Sequence, residues 1–355
     1  MKILMLVNWK VQYCDRIPAD KQPPDYVVKG RPYWFYRYFT QIPEVDVVDI
    51  TTVPWLERLE KNKLRFYVWQ TLKVLPKLGR YDLVISHGMQ SGVVLSLWRR
   101  LFKSKVKHIV FDIGSFNSAA ESGIALKLMQ FASKSIDGLI YHTSSQRGYY
   151  ERYFPWLVEK SRFIRFGTDT EFFDPAQLQA TDDKEQYMIC VGAGKRDWTT
   201  LIEAYKNLDT SLKLRLVGRV DPQYAGIPGV EQIPHVPIRE LINQINNAAF
   251  CVLPLEQFNY SYGQMTLMQQ MLLGKCVVAA RVNSLVDYID DTTAVLYEPG
   301  DVQDLSEKLN KLLNESKFRL EIAQNGRNYL LRQCNERIMA GEIELYITHI
   351  LMTAE

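Results

Sequence analysis

Two stretches of this chain combine residue types suited to holding phosphate groups. In MICVGAGKRDWTTLIEA, residues 188–204, an apolar run ends in Gly192-Ala193-Gly194 and is followed by Lys195 and Arg196. Glycines let the backbone come close to a ligand. Two cations at such a loop tip can pair with a diphosphate, the Arg in bidentate fashion, although Lys-Arg on a loop is also an ordinary solvated face. The second stretch covers residues 251–280, CVLPLEQFNYSYGQMTLMQQMLLGKCVVAA. An apolar strand, Cys251 to Leu255, runs into a polar aromatic loop. A helix is expected from Gly263 or Gln264 to Leu273, stopped by Gly274, with a second apolar strand from Lys275 to Ala280. The loop before the helix, Ser261-Tyr262-Gly263-Gln264, is uncharged. The unpaired N–H groups and positive dipole end of the helix therefore face a site open to an anion.

Two polar residues close apolar runs in the first half. YDLVISHGMQSG sets His87 at a strand end, and KHIVFDIGS does the same for Asp112. Ligands of open α/β sheets gather at the carboxyl ends of strands. Asp112 suits a base that takes a proton from a hydroxyl, or a group that stabilises positive charge on a sugar ring. Equally it suits a cap on Gly114-Ser115. His87 reads first as a packed or capping residue. Between Lys29 and Tyr38, cations alternate with aromatic rings. Arg31, Tyr33 and Trp34 there suit stacking on a sugar or an anion, or else an aromatic helix packed on the sheet.

The elements that must position these residues alternate apolar strands with helices along the whole chain, the pattern of parallel α/β sheets. Strands are expected near residues 2–7, 45–50, 83–86, 107–112, 138–141 and 163–166, and again from Tyr187 in a second series. A basic amphipathic helix is expected from Lys61 to Leu78. Asp174 to Gln186 is polar and acidic, the best candidate for a linker.

Composition places the chain among ordinary globular proteins, with 355 residues, 47% hydrophobic and 23% charged. A net charge of +3 gives no reason to expect nucleic acid. The five Cys are scattered without a CxxC pair, and three sit in apolar runs, which suits a reducing compartment and a cytoplasmic location. The five His show no metal-ligand spacing. The opening MKILMLVNW reads as a first strand rather than a targeting segment, and no run of eighteen apolar residues suggests a membrane span. No Gly-x-Gly-x-x-Gly with a following acid appears after that strand, so a nicotinamide cofactor has little support.

The wording of the second half is similar to the nucleotide-sugar-binding half of GT-B glycosyltransferases, in particular retaining family 4. Pro254, Met271, Gly274, Lys275, Val277 and Val278 stand at the family's places. The likeness continues through Asp287-Tyr288-Ile289 and Leu296 to Asp301. IRFGTDTEFFDP, residues 164–175, resembles the turn that ends the family's first domain, and residues 188–204 resemble the opening of its second. The family's two Glu, eight residues apart, fall here on Ser261 and Gln269. In the family the first contacts the transferred sugar and the second the ribose hydroxyls. Gln269 keeps hydrogen-bonding capacity for a diol, whereas Ser261 is short and uncharged; Glu256, nearby, is a candidate substitute.

The resemblance implies two Rossmann-like domains facing across a cleft: residues 1–170 for the acceptor, residues 171–335 for the donor, and a helix at 336–355 packing back on the first. It implies sugar transfer from a nucleoside-diphosphate sugar to a hydroxyl acceptor, with retention, without a metal or other cofactor, in polysaccharide or glycolipid synthesis. Donor contacts are expected from Gly192, Gly194, Lys195, Arg196 and Val236, and from Glu256, Ser261 to Thr266 (with Tyr262, Gly263, Gln264 and Met265) and Gln269. Acceptor contacts are expected from Arg31, Tyr33 and Trp34, with catalysis from Asp112 and His87. The acceptor class is a sugar, a lipid-linked sugar or a polysaccharide. Basic and aromatic residues at 61–77 and 97–107 suit either a solvated face or contact with an anionic membrane surface. Because the Glu pair is replaced, a nucleotide-sugar-binding protein without catalysis is the alternative, and a sugar-nucleotide epimerase a more distant one.

Overall fold

Apolar runs bounded by turns become strands buried on both faces, as parallel sheets flanked by helices require. The computed structural model describes residues 1–114, 121–178, 187–192, 194–258 and 260–352. The strands are β1 (Lys2–Leu6), β2 (Gln12–Cys14), β3 (Tyr26–Val28), β4 (Glu44–Val48), β5 (Leu83–His87), β6 (Lys107–Asp112), β7 (Gly138–Tyr141), β8 (Ser161–Phe163), β9 (Tyr187–Val191), β10 (Lys213–Val217), β11 (Val230–Ile233), β12 (Cys251–Leu253), β13 (Val277–Ala280) and β14 (Val295–Tyr297). Two six-stranded parallel sheets result, in the orders β4-β1-β5-β6-β7-β8 and β11-β10-β9-β12-β13-β14, with β2 and β3 forming a small separate pair. The molecule is thus α/β with two parallel-sheet domains. Among the described residues no helix is long and apolar enough to cross a membrane.

Some expectations shift. The basic helix proposed for Lys61 to Leu78 is broken. A helix over Pro54–Leu59 widens at Glu60–Leu64 and stops where Arg65 takes a left-handed conformation, φ 60°. A second helix, Val68–Val74, then ends in a tighter turn containing Pro76. Charge periodicity carried through a segment whose backbone does not. Of the linker candidate, residues 179–186 lie outside the described residues. Asp174 caps the turn Pro175–Gln177 and pairs with Arg327 at 3.3 Å.

The chain passes between the sheets twice, and the two passes lie side by side. Thr168 N–H donates to the Cys334 carbonyl at 3.1 Å, and Glu336 N–H to the Thr168 carbonyl at 3.2 Å. The contact is so close that a Cβ on Gly167 would lie 2.4 Å from the Asn335 carbonyl oxygen. One cation holds both passes to the first domain, since Arg37 pairs with Asp169 at 2.9 Å and with Glu336 at 2.8 Å. Glu336 also accepts from the Trp34 indole at 2.9 Å.

The helix Glu336–Met352 lies on the first domain. Its buried stripe is Met339, Ala340, Ile343, Ile347 and Ile350, packed in one cluster with Ile3, Met5, Phe35, Ile109 and Phe111. Ile338 and Leu345, which composition alone counts as contacts, face solvent. The 3.6-residue period selects one face of the helix.

Glu336 is a buried carboxyl facing a second carboxyl, with one guanidinium for both. Burial, then the Asp169 charge, pushes its pKa from the ordinary 4.5 up to about 7. A carboxyl favoured in its protonated form by folding costs nothing below its unfolded pKa. It becomes a penalty as pH rises through the folded pKa. Stability should therefore fall between about pH 4.5 and pH 7 by about 3 kcal/mol from this group. Glu336→Gln should flatten that window in denaturant titrations across pH, and an unchanged slope would count against the assignment. In the second core, neither amide atom of the fully buried Gln270 has a hydrogen-bond partner among the described residues. Gln270→Leu should raise stability by about 1–3 kcal/mol, read as a shift of the urea midpoint.

Candidate active site between the two sheets

The phosphate-suited loop after β9 is built around a folded-in arginine. Arg196 is 8% exposed. Its Nε donates to the Val191 carbonyl at 3.0 Å, Nη1 to the Gly194 carbonyl at 3.2 Å and Nη2 to Thr266 Oγ1 at 3.3 Å. The glycines make this possible. A Cβ on Gly192 (φ +144°) would meet the guanidinium at 2.5 Å. Asp197 then caps the next helix, Trp198–Lys206, by accepting from Thr200 N–H. Among the described residues no carboxylate pairs with Arg196, and burial lowers its pKa. A desolvated cation without a counter-charge is costly until an anion arrives.

The place for that anion is the start of the helix Gln264–Leu272. Its N-cap, Gly263 (φ 83°), provides no side-chain cap. A Cβ there would lie 2.5 Å from Leu255, so the loop turns where only glycine fits. Thr266, in the first turn, receives the Arg196 bond, so cation and helix dipole converge. Lys195 is exposed, with left-handed φ 60°, and its ammonium stands 3.8 Å from the centre of the Phe258 ring. Phe258, Tyr260 and Tyr262 pack against one another at 5.2–5.5 Å. Tyr260 reaches across to the first domain, where a Cβ on Gly114 would lie 2.7 Å from its ring.

The other donor candidates distribute along the same rim. Glu256 and Met265 are exposed, while Ser261 and Tyr262 are half-buried. The Gln264 amide donates to the Ser284 carbonyl at 2.7 Å. Gln269, one and a half turns into the helix, donates to the Gln22 side chain of the first domain at 3.2 Å. Val236 packs on the second core in the loop after β11.

The first-domain candidates are mostly sealed, which corrects the sequence reading. Asp112 is fully buried. One carboxylate oxygen accepts from Gly114 N–H, the other from Gln146 and the Tyr150 hydroxyl. It is an internal cap and not a base facing the cleft. His87 is buried against Trp9 and Trp34, with ring centres at 4.6 and 5.9 Å. Burial, and next the neighbouring His142, holds its pKa down to about 3, so it stays neutral and takes no proton near pH 7. Tyr33 and Trp34 are core residues whose polar atoms are spent on the Pro24 carbonyl and on Glu336. They have no face to offer a sugar. Arg31 alone of that group is exposed.

Sequence reasoning missed the groups that join the domains beside the cleft. Asp287 accepts from Thr143 Oγ1 at 3.1 Å and from Ser144 N–H at 2.7 Å. The Tyr288 hydroxyl donates to the His142 carbonyl and accepts from Phe166 N–H. The residues Asp287-Tyr288-Ile289 were visible as a family-like string, but nothing local reveals their partners more than a hundred positions away. Among the described residues no group of three or more His, Cys, Asp or Glu is placed to hold a metal ion.

Comparison with known proteins fits this geometry. Residues 185–315 match the family described as glycosyl transferases group 1. An uncharacterised glycosyltransferase of Methanocaldococcus jannaschii is 24% identical over 153 residues, an alignment that spans 41% of this chain and 43% of the relative. The whole chain superposes on sucrose-phosphate synthase from Thermosynechococcus elongatus, with TM-score 0.71, 18% identity and full coverage of both chains. It superposes equally on Anabaena HepE, solved in complex with UDP-glucose, with TM-score 0.70, 14% identity, and 98% and 100% coverage. The chain has the GT-B fold of these structures, and its residues 185–315 are similar to the group 1 glycosyl transferases.

Proposed function

We propose that the chain transfers a sugar from a nucleoside-diphosphate sugar to a hydroxyl acceptor. The observation that carries the reading is Arg196, a buried guanidinium with no acidic partner among the described residues, set beside a helix start without a side-chain cap. Together they supply fixed positive charge for a departing diphosphate, the part a metal ion plays elsewhere. The bond from the anomeric carbon to the diphosphate oxygen breaks, and one to the acceptor oxygen forms. Retention follows the family likeness. The leaving phosphate oxygen takes the acceptor's proton as the bond to the anomeric carbon breaks, so the step balances without a protein base. The HepE complexes with UDP and UDP-glucose support a uridine donor as the first to try.

The deciding experiment is turnover of a panel of nucleotide sugars with sugar, lipid-linked and polysaccharide acceptors, with and without a chelator. A glycosylated product and free nucleoside diphosphate, undiminished by chelation, are expected. Binding without turnover would favour the alternative of a non-catalytic sensor, for which Ser261 in the first glutamate place is the supporting observation. Release of an epimerised nucleotide sugar would point instead to an epimerase.

The acceptor reading includes contact with an anionic membrane surface. Trp55, Trp69, Leu72, Leu101 and Phe102 are exposed on the first domain, with Lys61, Lys63, Arg65, Lys73, Arg100, Lys103 and Lys105 among them. Arg99 is excluded from this group, being buried against Asp137. Apolar side chains beside cations suit acidic headgroups, at about 1 kcal/mol per cation near the surface.

Two outcomes are expected. Arg196→Ala weakens nucleoside-diphosphate binding by about 1.5–3 kcal/mol in calorimetry, more than Lys195→Ala, whose ammonium already rests on an aromatic ring. Unchanged affinity in a folded Arg196→Ala protein would remove the diphosphate role. The protein co-sediments with anionic vesicles at low salt and releases as salt rises. Failure to bind them would favour an acceptor free in solution.

A further inference from the structure

The segment between β2 and β3 is held like a bracket. Its base is closed by strand pairing, Gln12 opposite Tyr26 and Cys14 opposite Val28. Its far side is pinned at the Pro24 carbonyl, which accepts from the Tyr33 hydroxyl at 2.9 Å and from the Trp9 indole at 3.4 Å. A turn, Asp25 N–H to the Gln22 carbonyl at 2.9 Å, fixes Gln22 just before that pin. The projecting part crosses to the second domain. Arg239, stacked on Phe172, donates to the Ala19 carbonyl at 3.3 Å, and Gln22 meets Gln269 at 3.2 Å.

We infer that residues 15–25 are an arm of the first domain that completes the donor site, with Gln22 and Gln269 together reading a pair of neighbouring hydroxyls on the nucleotide's ribose. The inference rests on the reading of Gln269 as the ribose contact. Two amides joined by one N–H···O=C bond keep one free carbonyl and one free amino group, whichever is the donor between them. No other bond to either side chain is present among the described residues. A vicinal diol offers one hydroxyl to donate and one to accept, the complement of that pair. The family's carboxylate at the Gln269 place presents only acceptors. An amide there needs a second group to match both hydroxyls, and the arm brings one from the other domain. Ribose binding then ties the two domains at the cleft mouth.

Binding of the 5′-diphosphates of uridine, guanosine, adenosine and cytidine is compared with that of their 2′-deoxy counterparts, in the full chain and in Gln22→Ala, Gln22→Glu and Gln269→Ala. The wild type should prefer the ribose form. Both Gln22 variants should reduce that preference roughly fivefold to tenfold, as should Gln269→Ala. Ligand should also slow tryptic cleavage after Arg16 and Lys21, both on the arm. If Gln269→Ala loses the preference and the Gln22 variants keep it, the arm inference is overturned and the ribose reading of Gln269 survives. If no variant loses it, the ribose reading fails and takes the arm with it. If none of the four diphosphates binds the wild type, both fail.

Discussion

The two passages of chain between the sheets form a single seam, and the cleft exists because of it. Hydrogen bonds between residues 168, 334 and 336 put both crossings at one edge. Arg37 then neutralises the acids that flank them. A glycine at 167 is needed because the partner backbone occupies the space of a side chain. The cation loop and the helix start face the first domain at the rim away from this seam, where Gln22 meets Gln269 and Arg239 meets the Ala19 carbonyl. Closer to the rim, the Asp287 and Tyr288 bonds to residues 142–144 and 166 set how far the sheets splay.

Electrostatically the two sides of the cleft are unequal. The second domain offers concentrated positive charge and oriented N–H groups. Among the described residues its guanidinium is held by backbone carbonyls and a hydroxyl, not by a carboxylate. The first domain contributes tightly bonded polar groups and aromatic rings. Such an arrangement makes the second domain the side of the cleft that attracts an anion.

Much of this was written in local sequence. The limits of β6 and β7 coincide with apolar runs that could be marked by eye, because strand burial depends on consecutive residues. Each half of the candidate site was legible for the same reason: two glycines and two cations are neighbours at 192–196, and the uncharged helix start is continuous at 261–264, but their meeting through Arg196 and Thr266 was not. Contacts made at a distance were not. Nothing about Asp112 announces that Gln146 and Tyr150 will consume its oxygens, and nothing about Trp34 announces a bond to a carboxyl some three hundred positions later. A strand-end acid in a sequence is only half of a statement, the other half being what folds onto it. The broken helix at 61–78 shows the opposite failure, in which a periodic pattern of charge persisted across a backbone that turns.

The stripe of Met339, Ala340, Ile343, Ile347 and Ile350 has a consequence for synthesis on the ribosome. The second sheet is complete in one contiguous stretch of chain. The first sheet is translated earlier, yet one wall of its core is delivered by residues that follow the whole second sheet. Nascent first domain must therefore wait with Ile3, Met5, Phe35 and Phe111 incompletely covered while the second domain folds ahead of it. Vectorial production inverts the order of completion, and a pause or truncation before residue 339 leaves an apolar face for chaperones to shield.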